Sequence, residues 1–284
     1  MKSLSNFINE SMLFEKHGKP VEKPEPISDK DKIIDFLNRH YLLNENPIKG
    51  MLDWIEITKE GNKNVVNVKK GQLILRRTQN LALVPAGGLF TFGEVKEFII
   101  EGCKNLKTLK GAPQKCNFFV IDACPMIEDL TYIPKQIHEL HITDCKNLTS
   151  LDEFPNICDT VILADLPKLT SLEGLPKYMK GSVAIENCNG LTNFVGAPKS
   201  VGKDFDCMWC DNLVSLEGVP QEVGKDFLVV RCGFKEYDYF PNSIGGKFVK
   251  DEKIAGKNID KSKFDVINFT KKFYEFWKKS LVTL

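Results

Sequence analysis

The chain has 284 residues, with 39 Lys or Arg against 38 Asp or Glu and a formal net charge of +1 at neutral pH. So even a balance offers no global field for nucleic acid or an anionic membrane, and neither is expected as a partner. No apolar run approaches the length of a membrane span and no signal-peptide pattern is visible, so a soluble protein is expected.

The first ten residues read MKSLSNFINE and are followed by Ser11. Leu4, Phe7, Ile8 and Leu13 fall on one side of a short helix, which is one reading of this stretch. Residues 16–26, KHGKPVEKPEP, are charged and punctuated by proline, so 11–27 reads as an exposed linker. Residues 1–10 also resemble the head-targeting peptide of internal head proteins in large myovirus-type bacteriophages. In that family a phage protease cuts after the glutamate of an I-x-E or L-x-E site. The resemblance implies cleavage between Glu10 and Ser11, with Ile8 in the apolar position, and places the protein in the phage head, the host bacterial cytoplasm, or both.

Residues 28–70 are expected to form an amino-terminal cap. Ser28 and Asp31 make a capping-box-like start, and Ile33, Ile34, Leu37 and Tyr41 recur at helical spacing up to about Leu42. Trp54 to Ile57 and Val65 to Val68 read as strands joined through Glu60-Gly61-Asn62.

From 71 to 250 a unit of 21 or 22 residues recurs, with prolines at 113, 134, 155, 176, 198, 220 and 241. In the copy ELHITDCKNLTSLDEFP, Leu140 and Ile142 alternate with His141 and Thr143 as in a strand. Cys145, Leu148 and Leu151 then follow at three-residue spacing. The skeleton returns as Phe98/Ile100/Cys103, Phe119/Ile121/Cys124, Val161/Leu163/Leu166, Val183/Ile185/Cys188, Phe205/Cys207/Cys210 and Phe227/Val229/Cys232. A first copy is Leu73/Leu75/Thr78/Leu81/Val84. Self-similarity at this period marks a solenoid whose coils bury their apolar faces against one another. Five to seven residues between each proline and the next strand are too few for a helix, so the convex side is expected to be extended chain.

The pattern L-x-L-x-x-C-x-x-L-x-x-L resembles the leucine-rich-repeat consensus, with cysteine where asparagine often stands. It implies an α/β leucine-rich-repeat solenoid of short coils, a parallel β ladder with little helix in the repeats, capped at both ends. Segments such as LEGLP at 172–176, LEGVP at 216–220 and VGKDF at 223–227 are similar to short bacterial and bacteriophage repeats. Effectors with the short LPX-type repeat look similar, but their ligase domain has no counterpart here: 52 residues follow Cys232 and none is cysteine. Residues 251–284 are expected to close the far end, with a helix over 263–284 carrying Ile267, Phe273, Phe276, Trp277 and Leu281 on one side. The same amphipathic pattern suits a membrane-surface helix.

The sequence points to no catalytic, metal or cofactor site. Cys103, Cys124, Cys145, Cys188, Cys210 and Cys232 share one inward slot, which Leu166 fills in the remaining coil, so burial explains them and a reducing compartment suits them. Cys207 and Cys210 form a C-x-x-C whose members both fall in repeat slots, with no second pair to complete a zinc site. A thiol enzyme built on them is the alternative reading. His138 and His141 lie three apart on a strand, which does not aim them together.

A protein-binding surface is the favoured function. Outward strand positions give the row Ile99, Val120, His141, Ile162, Ala184, Asp206 and Leu228, beside Glu101, Asp122, Thr143, Ala164, Glu186, Met208 and Val230. Met208, Trp209, Leu228, Val230 and Arg231 are expected to form an exposed anchor patch, continued by Ile162 and His141. The competing expectation is that terminal segments bury this strip within the chain. The resemblances together imply a bacteriophage protein that binds a host or virion protein, with a structural head component as the alternative. Oligomeric state is left open.

Overall fold

The computed structural model describes residues 27–43, 45–48, 52–77, 83, 88–235 and 238–250, together with the backbone of 265–268. Ile8, Glu10 and Ser11, the greater part of the linker, Thr78, Leu81 and Val84, and the expected terminal helix other than 265–268 lie outside the described residues.

Helix α1 (Asp29–His40) opens as its sequence predicts: the Ser28 side chain accepts from the Asp31 N–H at 3.2 Å and its hydroxyl donates to the Asp31 carboxylate at 2.6 Å. Asp29 and Asp31 sit in its first turn and Arg39 and His40 in its last, matching the helix dipole. Its buried stripe is Ile33 and Leu37, and Tyr41 just after it is also buried, with its hydroxyl donating to the Leu83 carbonyl at 2.5 Å. The short strands β1 (Leu42–Leu43) and β2 (Asn46–Pro47) follow, then the hairpin of β3 (Ile55–Glu60) and β4 (Lys63–Arg76). β3 pairs only with the first part of β4, whereas the first repeat strand pairs parallel with β4 along most of its length, at Val65, Val66 and Val68 and again from Gln72 to Arg76. One long strand therefore joins the cap to the solenoid.

The repeat strands are β5 (Thr91–Glu101), β6 (Lys115–Asp122), β7 (Ile137–Thr143), β8 (Thr160–Ala164), β10 (Val183–Glu186), β12 (Phe205–Met208), β14 (Phe227–Val230) and β16 (Lys247–Lys250). A second set of two-residue strands consists of β9 (Tyr178–Met179), β11 (Ser200–Val201), β13 (Glu222–Val223) and β15 (Ser243–Ile244). The last strand is β17 (Asp265–Asn268). β5 through β17 stack parallel, and the main sheet has 13 strands with the capping strands at one edge. The result is a parallel solenoid of about eight coils of roughly 22 residues with little helix. Among the described residues 88–235 no helix occurs, so the return side is extended chain, as the short proline-to-strand spacing requires.

The described inward slots behave as expected, apart from Cys232 in the last copy, which is only partly buried. Phe98, Ile100, Cys103, Leu106, Phe119, Ile121, Cys124, Leu140, Ile142, Cys145, Val161, Leu163 and Leu166 are all fully buried. Residues in register meet their own kind from coil to coil, as in Phe205, Phe227 and Phe248, whose ring centroids stand 5.9 and 5.3 Å apart; Phe194, from a different slot of the preceding coil, packs edge-on against Phe205 at 5.2 Å.

Strands β5, β6, β7, β8, β10, β12 and β14 are each followed by a residue with positive φ: Gly102 at 64°, Ala123 at 51°, Asp144 at 50°, Asp165 at 55°, Asn187 at 51°, Trp209 at 54° and Arg231 at 56°. The N–H of this residue crosses to the next coil, as from Ala123 to Thr143, Asp165 to Glu186 and Trp209 to Val230. That cross-coil bond and the immediate turn inward hold a conformation that costs a side-chain-bearing residue about 1 kcal/mol.

Slot spacing is 21 residues from Cys103 through Leu166 and 22 from Leu166 through Cys232. The extra residue falls at the corner before the strand. There it separates the return-side pair, such as Val223, from the strand opening at Phe227, so the second ladder β9–β11–β13–β15 appears only in these coils. The corner is tight: a Cβ on Gly224 would stand 2.1 Å from the Gly202 carbonyl oxygen, and one on Gly245 2.2 Å from that of Gly224. The neighbouring acids close it. Asp204 accepts from the Asp226 N–H at 3.1 Å, and Asp226 from the Lys247 N–H at 2.8 Å.

The far end departs from expectation. Residues 265–268, read as part of a helix, form β17, which pairs parallel with β16. An open solenoid end leaves a row of unpaired backbone groups, and Asp265-Val266-Ile267-Asn268, with two adjacent β-branched residues, suits a strand that satisfies them.

Candidate binding surface

The outer face of the main sheet is a grid of alternate strand residues. Three positions per strand point outward: Glu97, Ile99 and Glu101 on β5; Phe118, Val120 and Asp122 on β6; Glu139, His141 and Thr143 on β7; Thr160, Ile162 and Ala164 on β8. The pairings Ile99↔Val120↔His141↔Ile162 place the middle residues in one line across the sheet.

The two halves of this face differ. In the carboxy-terminal half, Met208 and Val230 are 0% exposed, Leu228 1%, Ala184 5% and Asp206 7%. The expectation that Met208, Leu228 and Val230 form an exposed anchor patch is therefore corrected. A continuous apolar run of this kind is driven out of water, and here that has happened within the chain. Trp209 is half-buried and Arg231 exposed, both on the left-handed residues beyond the strand ends, and each is engaged in a contact of its own. In the amino-terminal half, Ile99, Phe118, Val120, His141 and Ile162 are half-buried, so apolar surface stays accessible there.

Acidic groups rim the accessible half. Glu97, Glu139, Glu101 and Asp122 flank the apolar line, with Asp144 and Asp165 just past the strand ends. Arg76 bridges Glu101 at 2.8 Å and also pairs with Glu45, and Lys146 bridges Asp144 at 2.5 Å. The two hydrogen bonds to its carboxylates hold Arg76 well above the usual guanidinium range. His141 Nε2 meets Glu139 at 2.7 Å and its ring stands edge-on to Phe118, centroids 4.9 Å apart. His138 turns instead to Asp159, at 2.7 Å, so the two histidines do not converge.

The thiols lie away from this face. Burial pushes Cys116, Cys145 and Cys158 up to about 12. Cys207 and Cys232 approach to 3.9 Å between sulfurs, a contact across coils that the C-x-x-C spacing does not reveal. Burial drives Cys207 upward, while hydrogen bonds from Cys207 and Cys232 draw Cys210 down. Cys207 and Cys210 are both fully buried, so neither sulfur meets solvent. Among the described residues no group of His, Cys, Asp or Glu is placed to hold a metal ion, and no helix is long and apolar enough to cross a membrane.

What the fold defines is a parallel β-solenoid of leucine-rich-repeat-like coils with one accessible and one closed half to its outer sheet face. Set beside known proteins, the chain matches no family model, no curated protein and no solved structure.

Proposed function

We propose that this is a non-enzymatic protein-binding solenoid that holds a partner on the outer face of β5 to β8. The observation that carries the reading is the contrast within one sheet. Met208, Leu228 and Val230 are sealed, whereas the equivalent line through Ile99, Val120, His141 and Ile162 keeps apolar surface accessible between charged rims. Accessible apolar surface bordered by polar groups is the usual composition of an interaction site. A photo-crosslinking side chain in place of Val120, compared with one in place of the exposed turn residue Val214, tests this in the cell that makes the protein. Discrete protein adducts at position 120 alone are expected; equal labelling at both positions, or none at 120, refutes the assignment.

The likeness of MKSLSNFINE to a head-targeting peptide supports a bacteriophage origin, packaging in the head and delivery to the host. Intact mass of the protein from purified phage particles tests it. A species beginning at Ser11 is the expected result, and absence from particles would remove the packaging reading while leaving the binding face untouched.

A further inference from the structure

We propose that the occupant of this face is a basic polypeptide segment with apolar side chains interspersed; the proposal rests on the protein-binding reading above and specifies its partner. The first support is charge. Glu97, Asp122, Glu139 and Asp165 have no lysine or arginine partner within ion-pair distance among the described residues, and Asp122 and Asp165 receive only neutral donors, from Thr143 and Asn187. Of the cations nearest these acids, Arg76 and Lys146 are already committed to Glu45, Glu101 and Asp144, and Arg77 stands at the far edge, just past the end of β4. A chain of net charge +1 thus gathers an excess of carboxylates on one half of one sheet. Such a field favours cationic partners and repels phosphate backbones, which separates a basic protein segment from a nucleic acid.

The second support is shape. The acids do not form a cup around an ion; they flank the half-buried line of Ile99, Val120, His141 and Ile162, with Phe118 beside it between Glu97 and Glu139, and the apolar side chains there gain nothing from a small hydrophilic cation. Three strand intervals of about 4.8 Å give that line a length of roughly 14 Å, the reach of four or five extended residues. A segment that lays apolar side chains on the line and lysine or arginine toward the rims satisfies both features.

The test uses the full chain and three fluorescent octapeptides, alternating Lys-Val, alternating Glu-Val and alternating Lys-Ser, with fluorescence anisotropy at low and moderate salt. The Lys-Val peptide is expected to bind at least tenfold more tightly than either of the others and to weaken as salt rises. The Glu97→Gln/Asp122→Asn variant, whose circular dichroism serves as a folding control, is expected to bind it roughly fivefold more weakly, in line with two partly exposed ion pairs. Equal binding of Glu-Val and Lys-Val peptides, unchanged binding by the variant, or no binding of any peptide overturns the proposal. If peptides fail while the crosslinker at position 120 still yields adducts, the charge class is wrong and the binding face stands. If both fail, the face itself is wrong.

Discussion

Alkali should unfold this protein through its buried thiols. Cys116, Cys145 and Cys158 sit at 1, 0 and 4% exposure, and burial raises each from an ordinary value of 9.0 to about 12. A raised thiol pKa means the folded chain keeps a proton that the unfolded chain surrenders. Their contribution is complete below about pH 9 and falls as pH rises toward about 12. Each retained proton costs about 1.4 kcal/mol per pH unit in that window, so the three together remove roughly 4 kcal/mol per unit. A stability of order 10 kcal/mol would be exhausted within about three units. Urea unfolding followed by circular dichroism, in a non-thiol reductant at pH 7, 8, 9 and 10, measures the slope. Lysines and tyrosines also titrate there, so the comparison is with Cys145→Ala, whose slope above pH 9 should be shallower by about 1.4 kcal/mol per unit. Identical slopes for the two proteins would refute the reasoning.

Other perturbations have opposite signs and separate the roles of the turns. Gly224→Ala drives a Cβ to 2.1 Å from the Gly202 carbonyl oxygen, where only backbone can yield, so a loss of about 3 kcal/mol or more is expected in chemical denaturation. Ala123→Gly, at φ 51°, should instead be neutral or raise stability by up to about 1 kcal/mol, because the left-handed turn then carries no side chain. Phe205→Ala removes the ring between Phe194 and Phe227 and should cost about 3–5 kcal/mol. Asp204→Ala leaves the Asp226 N–H without its acceptor and should cost about 1–3 kcal/mol, read as a lowered melting temperature.

The inward half of the fold was legible because alternation and three-residue spacing are local signals. Leu140, Ile142, Cys145, Leu148 and Leu151 each announce burial by their neighbours alone, and all five are fully buried. The capping of α1 was legible for the same reason. The outward face was not. Val120 and Leu228 occupy the same strand position and are of similar character, yet one is half-buried and the other 1% exposed. What lies above an outward residue is decided by tertiary contact, which no local pattern encodes. The sulfur contact between Cys207 and Cys232 is of that kind too, since it spans two coils. The strand at Asp265–Asn268 is not legible locally because Val266 and Ile267 suit either a helical stripe or a β edge, and what decides is pairing with β16.

The step from 21 to 22 residues per coil also makes chain length a modular quantity. From Leu166 onward, successive strands meet in identical register, with Val183 opposite Val161 and Phe205 opposite Val183. Excising residues 183–204 would therefore join Ser182 to Phe205 and set β8 directly beside β12 without displacing a single rung. The earlier coils lack the corner glycine and cannot exchange with the later ones so freely. The molecule thus resembles a ruler graduated in two units, extendable at one end by copying whole divisions, while the graduations that carry the acid-rimmed face stay fixed beside the cap.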